Sequence, residues 1–268
     1  MWAILTFYAA QVIMTLGALI LFGFLIGLCN KQFYKNLGVL GQPVCYITGF
    51  FGTPVHECAH ALFCLIFGHK ITEMKLFQIS DDGTLGYVSH SYNPKNFYHR
   101  IGNFFIGVAP MLVISGLLWL LSYLLVPDML RSVTIEVNKI DALGGIAEIL
   151  KSVIDICKAV FSHMDDFRWW IFVIIGIFFA LHMTLSGADI KGALTGIWLL
   201  LGLLLVVDII LYLIGVNVIL KFTHAITTVA GYFIGFMSLA LAISLVALGL
   251  SAAIGKIVQK VKRYKFIC

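Results

Sequence analysis

The sequence predicts an all-α polytopic membrane protein, with about six transmembrane helices and a short membrane-associated β-hairpin after the second helix. Three observations carry that expectation. Of 268 residues, 61% are hydrophobic and 12% charged, where water-soluble domains carry roughly twice that charged share. Long stretches almost free of charge take up most of the chain and leave no segment large enough for a separate soluble core, so residues 1–268 read as one integral membrane domain. One connection departs from this pattern and has strand chemistry. The net charge of +5 is modest and gathers at the C-terminus. That pattern excludes nucleic acid as a partner and leaves the lipid bilayer as the surface to be met.

About 20 apolar residues at 1.5 Å each cross the hydrocarbon core. By that rule the spans are Trp2 to Cys29, Val39 to Phe67, Ile101 to Val126, Trp169 to Ala188, Gly192 to Ile214, and Ala225 to Ile254. The first lacks a basic flank and a small-residue cleavage pattern, so it is expected to be a retained span rather than a signal peptide. Between the second and third, residues 70–90 alternate β-branched, aromatic and polar side chains around Asp82-Gly83, a turn dipeptide, and predict the hairpin. Residues 127–168 form the second long connection. Within it, Gly145 to Phe161 sets Ile146, Ile149, Leu150, Val153, Cys157, Val160 and Phe161 opposite Glu148, Lys151, Asp155 and Lys158, an amphipathic helix expected at the membrane interface.

The tail, residues 256–268, is basic, and the positive-inside rule places it in the cytoplasm, although Lys31 and Lys35 pull the other way. No Cys-x-x-Cys pair occurs, and the six cysteines read as small apolar residues without a disulfide framework.

Chemistry concentrates in the second span. His56-Glu57-Cys58-Ala59-His60 is a His-Glu-x-x-His pattern, and four helical residues bring the second imidazole to within about 40° of the first. Two imidazoles on one face can grip one zinc ion, Zn2+. Glu57 is close enough to act as general base toward a water. Chance places about 0.004 such patterns in a chain of this composition, and ionisable groups inside a membrane are functional by default.

A catalytic zinc needs a third protein ligand. His182, Asp189, His90, His99, Asp208 and His224 are the available side chains. His182, Ser186 and Asp189 are spaced to share one helix face within about 60°, in the half of the fourth span that lies level with the motif. Gly187 and Gly192 suggest a broken helix end that can bend a carboxylate toward metal. Gly49, Gly52 and Pro54 suggest open space before the motif through which water could enter.

These residues resemble the site-2 protease family of intramembrane zinc metalloproteases. The likeness lies in His56-Glu57-x-x-His60 followed by a short β-segment, in Gly107-Val108-Ala109-Pro110, and in Leu185-Ser186-Gly187-Ala188-Asp189, and it covers roughly Phe50 to Gly192. The resemblance implies zinc held by His56, His60 and Asp189, Glu57 as catalytic base, and a transmembrane protein as substrate. His182 and Ser186 remain as alternative or supporting ligands. The chain departs from the family at Ile190, where relatives have glycine. It departs again at Val113, where many have asparagine; Asn103 is a substitute at most for that missing donor.

Gly86, Tyr87 and Val88 are expected either to offer a strand edge to an extended substrate or to plug the site. Two rival readings stay beside hydrolysis. One is a catalytically inactive zinc-binding membrane scaffold. The other is a transporter or haem-binding protein using His56, His182 and Asp208.

Overall fold

The computed structural model describes residues 2–81, 83–140 and 145–265. Nine α-helices and one two-stranded sheet occur among them: α1 (Trp2–Val12), α2 (Ala18–Leu37), α3 (Gly41–Ile66), β1 (Lys70–Lys75), β2 (Tyr87–Ser91), α4 (Phe97–Leu125), α5 (Pro127–Val137), α6 (Gly145–Phe161), α7 (Phe167–Ala180), α8 (Gly187–Ile214) and α9 (Val216–Lys265). The chain is all-α with a small hairpin, as its composition and spacing predict. Four helical runs among the described residues are long and apolar enough to cross a membrane: Trp2–Ile66, Phe97–Leu125, Gly187–Ile214 and Val216–Val258. The first contains both of the first two expected spans. A π-helical segment, Ile13–Gly17, joins α1 to α2, and α2 ends where Gly38 takes φ +55°. That conformation suits a residue without a Cβ, and the chain turns there into α3.

The core is built by α2, α4, α7 and α9, with Phe22, Ile26, Met111, Leu118, Phe172 and Met237 all buried. Large apolar side chains such as Phe24, Leu65, Ile174, Trp198 and Leu213 face outward, where hydrocarbon is the solvent. The amphipathic helix spans the residues read from its periodicity. Its Ile149, Val153, Ile156 and Val160 pack into the protein core, Ile146 and Leu150 turn outward, and Lys151–Glu148 and Lys158–Asp155 pair along the polar side. The sixth span begins at Val216 and continues helically into the basic tail as far as Lys265, since no proline or turn dipeptide interrupts it.

The largest correction concerns the fourth span. It is not a helix from Trp169 to Ala188: α7 stops at Ala180, Leu181–Ser186 is non-helical, and α8 starts at Gly187. His182, Ser186 and Asp189 therefore do not form a stripe on one helix face. Polar groups compensate the break, as a broken helix in a membrane requires. Asn30 of α2 donates to the carbonyls of Ala180 (2.9 Å) and Leu181 (3.2 Å) at the end of α7. At the start of α8, Ser186 Oγ accepts from the Asp189 N–H (3.2 Å) while the Asp189 carboxylate accepts from the Ser186 N–H (2.6 Å), a reciprocal capping box. That local pairing selects a helix start over a helix that runs through.

The hairpin is shorter than the alternation suggests. Its strands pair antiparallel from Lys70↔Ser91 to Lys75↔Tyr87, with an irregularity between Ile71 and Glu73, and Gln78 N–H donates to Leu85 beyond the strands (2.7 Å). Gly83 has φ +82°, as the turn reading requires of it; Asp82 lies outside the described residues.

Candidate metal centre and active site

The motif occupies the C-terminal half of α3, and each histidine is oriented by a backbone carbonyl. His56 Nδ1 donates to the carbonyl of His182 (2.7 Å), and His60 Nδ1 donates to the carbonyl of Ile106 in α4 (2.7 Å). A carbonyl can only accept. Both rings therefore carry hydrogen on Nδ1 and, when neutral, have their lone pair on Nε2. Those two Nε2 atoms are 3.1 Å apart. Asp189 sets Oδ1 at 3.2 Å from His60 Nε2 and Oδ2 at 3.7 Å from His56 Nε2.

Three acceptors facing one another repel unless a cation lies among them. Ligands at about 2.0–2.1 Å in a tetrahedral zinc site stand about 3.3 Å apart, and the observed separations bracket that value. The three ligand atoms all fall within 4.8 Å of one another. The donor set and its spacing fit zinc, and the hydrogen-bonded Nδ1 atoms supply the orientation that metal-binding histidines ordinarily have.

Close helix packing brings Asp189 there. At Gly107 a Cβ would meet the Asp189 carbonyl at 2.5 Å and the Ala193 Cβ at 2.8 Å, so α8 lies directly on α4. The capping box then fixes the carboxylate. Ser186 thus supports Asp189 from the main chain and from its own hydroxyl.

His182 stands elsewhere. Its carbonyl orients His56, while its ring Nε2 bonds Thr48 Oγ1 (2.9 Å) and faces α3. His90 lines the site cavity but bonds His69; His99 accepts from the Asn93 N–H; His224 is exposed. Asp208 is buried against Gln11, which also donates to Thr223. None of these four joins the three-residue cluster.

Glu57 is buried and lines a cavity of about 410 Å³ together with His56, His60, Gly86, Tyr87, Val88, His90, Asn103 and Asp189. Gly86 is pressed onto the motif helix: a Cβ there would lie 2.8 Å from Glu57 Cγ and 2.8 Å from Thr53 Cγ2. Tyr87 follows it into β2 and donates its hydroxyl to Glu73. Asn103 is buried, lines the cavity and makes no side-chain hydrogen bond among the described residues.

Space does not open at Gly49 and Gly52. A Cβ at Gly52 would meet the Phe178 carbonyl at 2.3 Å and His182 side-chain atoms at 2.8 and 2.9 Å; at Gly49 it would meet Leu85 at 2.8 Å. These glycines admit neighbouring chain rather than water.

Sequence reading missed Asn30, whose amide caps the break, and the Ile106 carbonyl. Asn30 closes an apolar run and resembles the ordinary end of a span, and a carbonyl leaves no trace in side-chain identity.

Residues 49–160, less than half of the chain, match the family model described as "Putative zincin peptidase". No curated protein and no solved structure matches the chain. The matched span contains His56, Glu57 and His60 and ends before Asp189. It supports a zinc metallopeptidase, without singling out the site-2 proteases, and the donor cluster around His56 points to the same metal.

Proposed function

We propose that this protein is an intramembrane zinc endopeptidase, resembling the site-2 proteases, that hydrolyses a peptide bond in or near the transmembrane segment of a membrane-protein substrate. The observation that carries the reading is the convergence of His56 Nε2, His60 Nε2 and the Asp189 carboxylate beside a buried Glu57, within helices apolar enough to cross a membrane.

Zinc, held by His56, His60 and Asp189, would supply Lewis-acid chemistry that lowers the pKa of a water and polarises a carbonyl. Glu57, on the wall of the same cavity, is the base that would take a proton from the attacking water and deliver it to the leaving amine. The carbonyls of His182 and Ile106 hold the two imidazoles in the tautomer that leaves Nε2 unprotonated. Asn103 places an uncommitted amide in the same cavity, where its N–H donates to a substrate carbonyl. Gly86, Tyr87 and Val88 line the opposite wall. β2 pairs with β1 along one side, and its other side receives an extended substrate as an added strand. A helical substrate segment must unwind before its amide is reached, and strand pairing holds the unwound form.

The test is purification in detergent or nanodiscs, zinc quantification, and assay of a panel of transmembrane substrates with wild type and Glu57→Gln. The expected result is about one zinc per chain in both proteins and cleavage by the wild type alone. Undiminished cleavage by Glu57→Gln removes the assigned base.

A further inference from the structure

Glu57 stands on the walls of two chambers. Besides the cavity of about 410 Å³ bounded by β2 and α4, a second of about 330 Å³ shares the Thr84 and Gly86 lining and is bounded further by Thr53, Gly83, Leu85 and His182. His56, Glu57, Thr84, Gly86 and Ser186 belong to both. Gly86, which lines both, lies so close to Glu57 and Thr53 that no side chain fits there.

Thr53 sits one helical turn before Glu57 and is 5% exposed. A buried threonine in a helix ordinarily gives its hydroxyl to the carbonyl four residues back, as Thr48, Thr15 and Thr227 do here. The Thr53 hydroxyl makes no hydrogen bond among the described residues, although the residue lines the second chamber. Ser186 Oγ accepts from Asp189 N–H and has no acceptor for its own hydrogen among the described residues. Water is held where two to four polar partners converge in sufficient space, and this chamber is bordered by the buried Thr53 and Glu57 at its inner end and by the exposed Ser186 at its mouth.

We propose that the second chamber is the binding site and supply route for the hydrolytic water, with Thr53 as its positioning residue, while the first chamber receives the peptide. This rests on the peptidase reading above and adds a division of labour to it. An apolar substrate drawn from the bilayer fills the space it enters and excludes water from it. A second chamber ending on the same carboxylate lets Glu57 meet water from one side and peptide from the other. The water's proton passes to the Glu57 carboxylate, its oxygen forms the new bond to the peptide carbon, and Glu57 returns the proton to the departing nitrogen.

The experiment compares wild type, Thr53→Val, Thr53→Ser and Glu57→Gln for zinc content and for kcat and KM on a cleaved substrate. In parallel, Thr53→Cys is treated with a small hydrophilic thiol reagent, and modification is read by mass spectrometry on the residue-53 peptide. Thr53→Val keeps the shape and removes the hydroxyl, so kcat falls about tenfold with KM and zinc unchanged. Thr53→Ser restores turnover, and Thr53→Cys is modified.

Unchanged kcat in Thr53→Val while Glu57→Gln is inert overturns the water site and leaves the peptidase standing. Failure of the reagent to reach residue 53 overturns it as well, whatever the stability of the valine variant. A zinc-loaded wild type that cleaves no transmembrane substrate removes the peptidase reading, and this inference falls with it.

Discussion

The Nδ1 of His56 and the carbonyl of His182 are joined by a 2.7 Å hydrogen bond between α3 and the break that follows α7. The main chain of His182 therefore orients a ring of the motif, while its own ring is engaged by Thr48. Truncating that ring leaves the orienting carbonyl in place. His182→Ala is expected to keep near-stoichiometric zinc, whereas Asp189→Ala, which removes one of three donors, loses it under the same dialysis. Metal analysis of the two purified variants decides. Equal loss from both would mean that the imidazole of His182 matters to the metal after all.

Ser186→Ala removes the side-chain half of the capping box and leaves the Ser186 N–H on the Asp189 carboxylate. Loss of such a cap costs about 1 kcal/mol. Groups that orient a ligand typically matter 10–100-fold for metal affinity. A modest fall in Tm together with weaker zinc retention is expected, measured by thermal melting and by competition with a chelator. Ser186→Asp, which can also cap, should recover most of the stability.

Gly52→Ala tests whether α3 and the end of α7 must touch. The new Cβ would lie 2.3 Å from the Phe178 carbonyl, backbone that cannot rotate aside, and 2.8 Å from the side chain of His182. Overpacking of this kind costs roughly 1–3 kcal/mol. Retreat of α7 would also draw the His182 carbonyl away from His56. Both Tm and zinc content should fall, and Gly116→Ala, where a Cβ meets nothing within 4 Å, serves as the silent control.

The motif, its metal and the helical class were legible because each depends on local spacing: His56, Glu57 and His60 share a turn, and apolar runs declare themselves by length. Asp189 was reachable as a candidate, but its route to the metal was not. Periodicity read Trp169 to Ala188 as one span, since nothing between Ala180 and Gly187 is a strong helix breaker. What stops α7 is tertiary: Asn30 on α2 takes up its last carbonyls, and Ser186 pairs with Asp189 to begin α8. The glycines misled for the same reason. A gap in side chains signals close approach or empty space equally, and only the position of Phe178 and His182 tells which.

Acid should loosen the hairpin through His69 and His90. His69 Nε2 donates to the carbonyl of His99 (2.9 Å), so its Nδ1 carries the lone pair and accepts from His90 Nδ1 (3.0 Å). Burial pushes both imidazoles below their ordinary value of 6.5; on His69 the hydrogen bond to the His99 carbonyl opposes this and the His99 ring adds to it, while His69 and His60 reinforce it on His90. The folded hairpin thus favours the neutral rings. The unfolded segment takes up protons first as pH falls, so the stabilisation is full above the ordinary histidine value and is lost as pH drops from there toward the depressed folded values. A second proton on this pair also destroys its N–H···N bond. Amide exchange in β1 and β2, corrected for intrinsic rates, should therefore rise between about pH 7.5 and pH 5.5. His90→Gln removes one titrating partner and should flatten the response. Exchange that is equally steep in that variant would place the sensor outside this pair of rings.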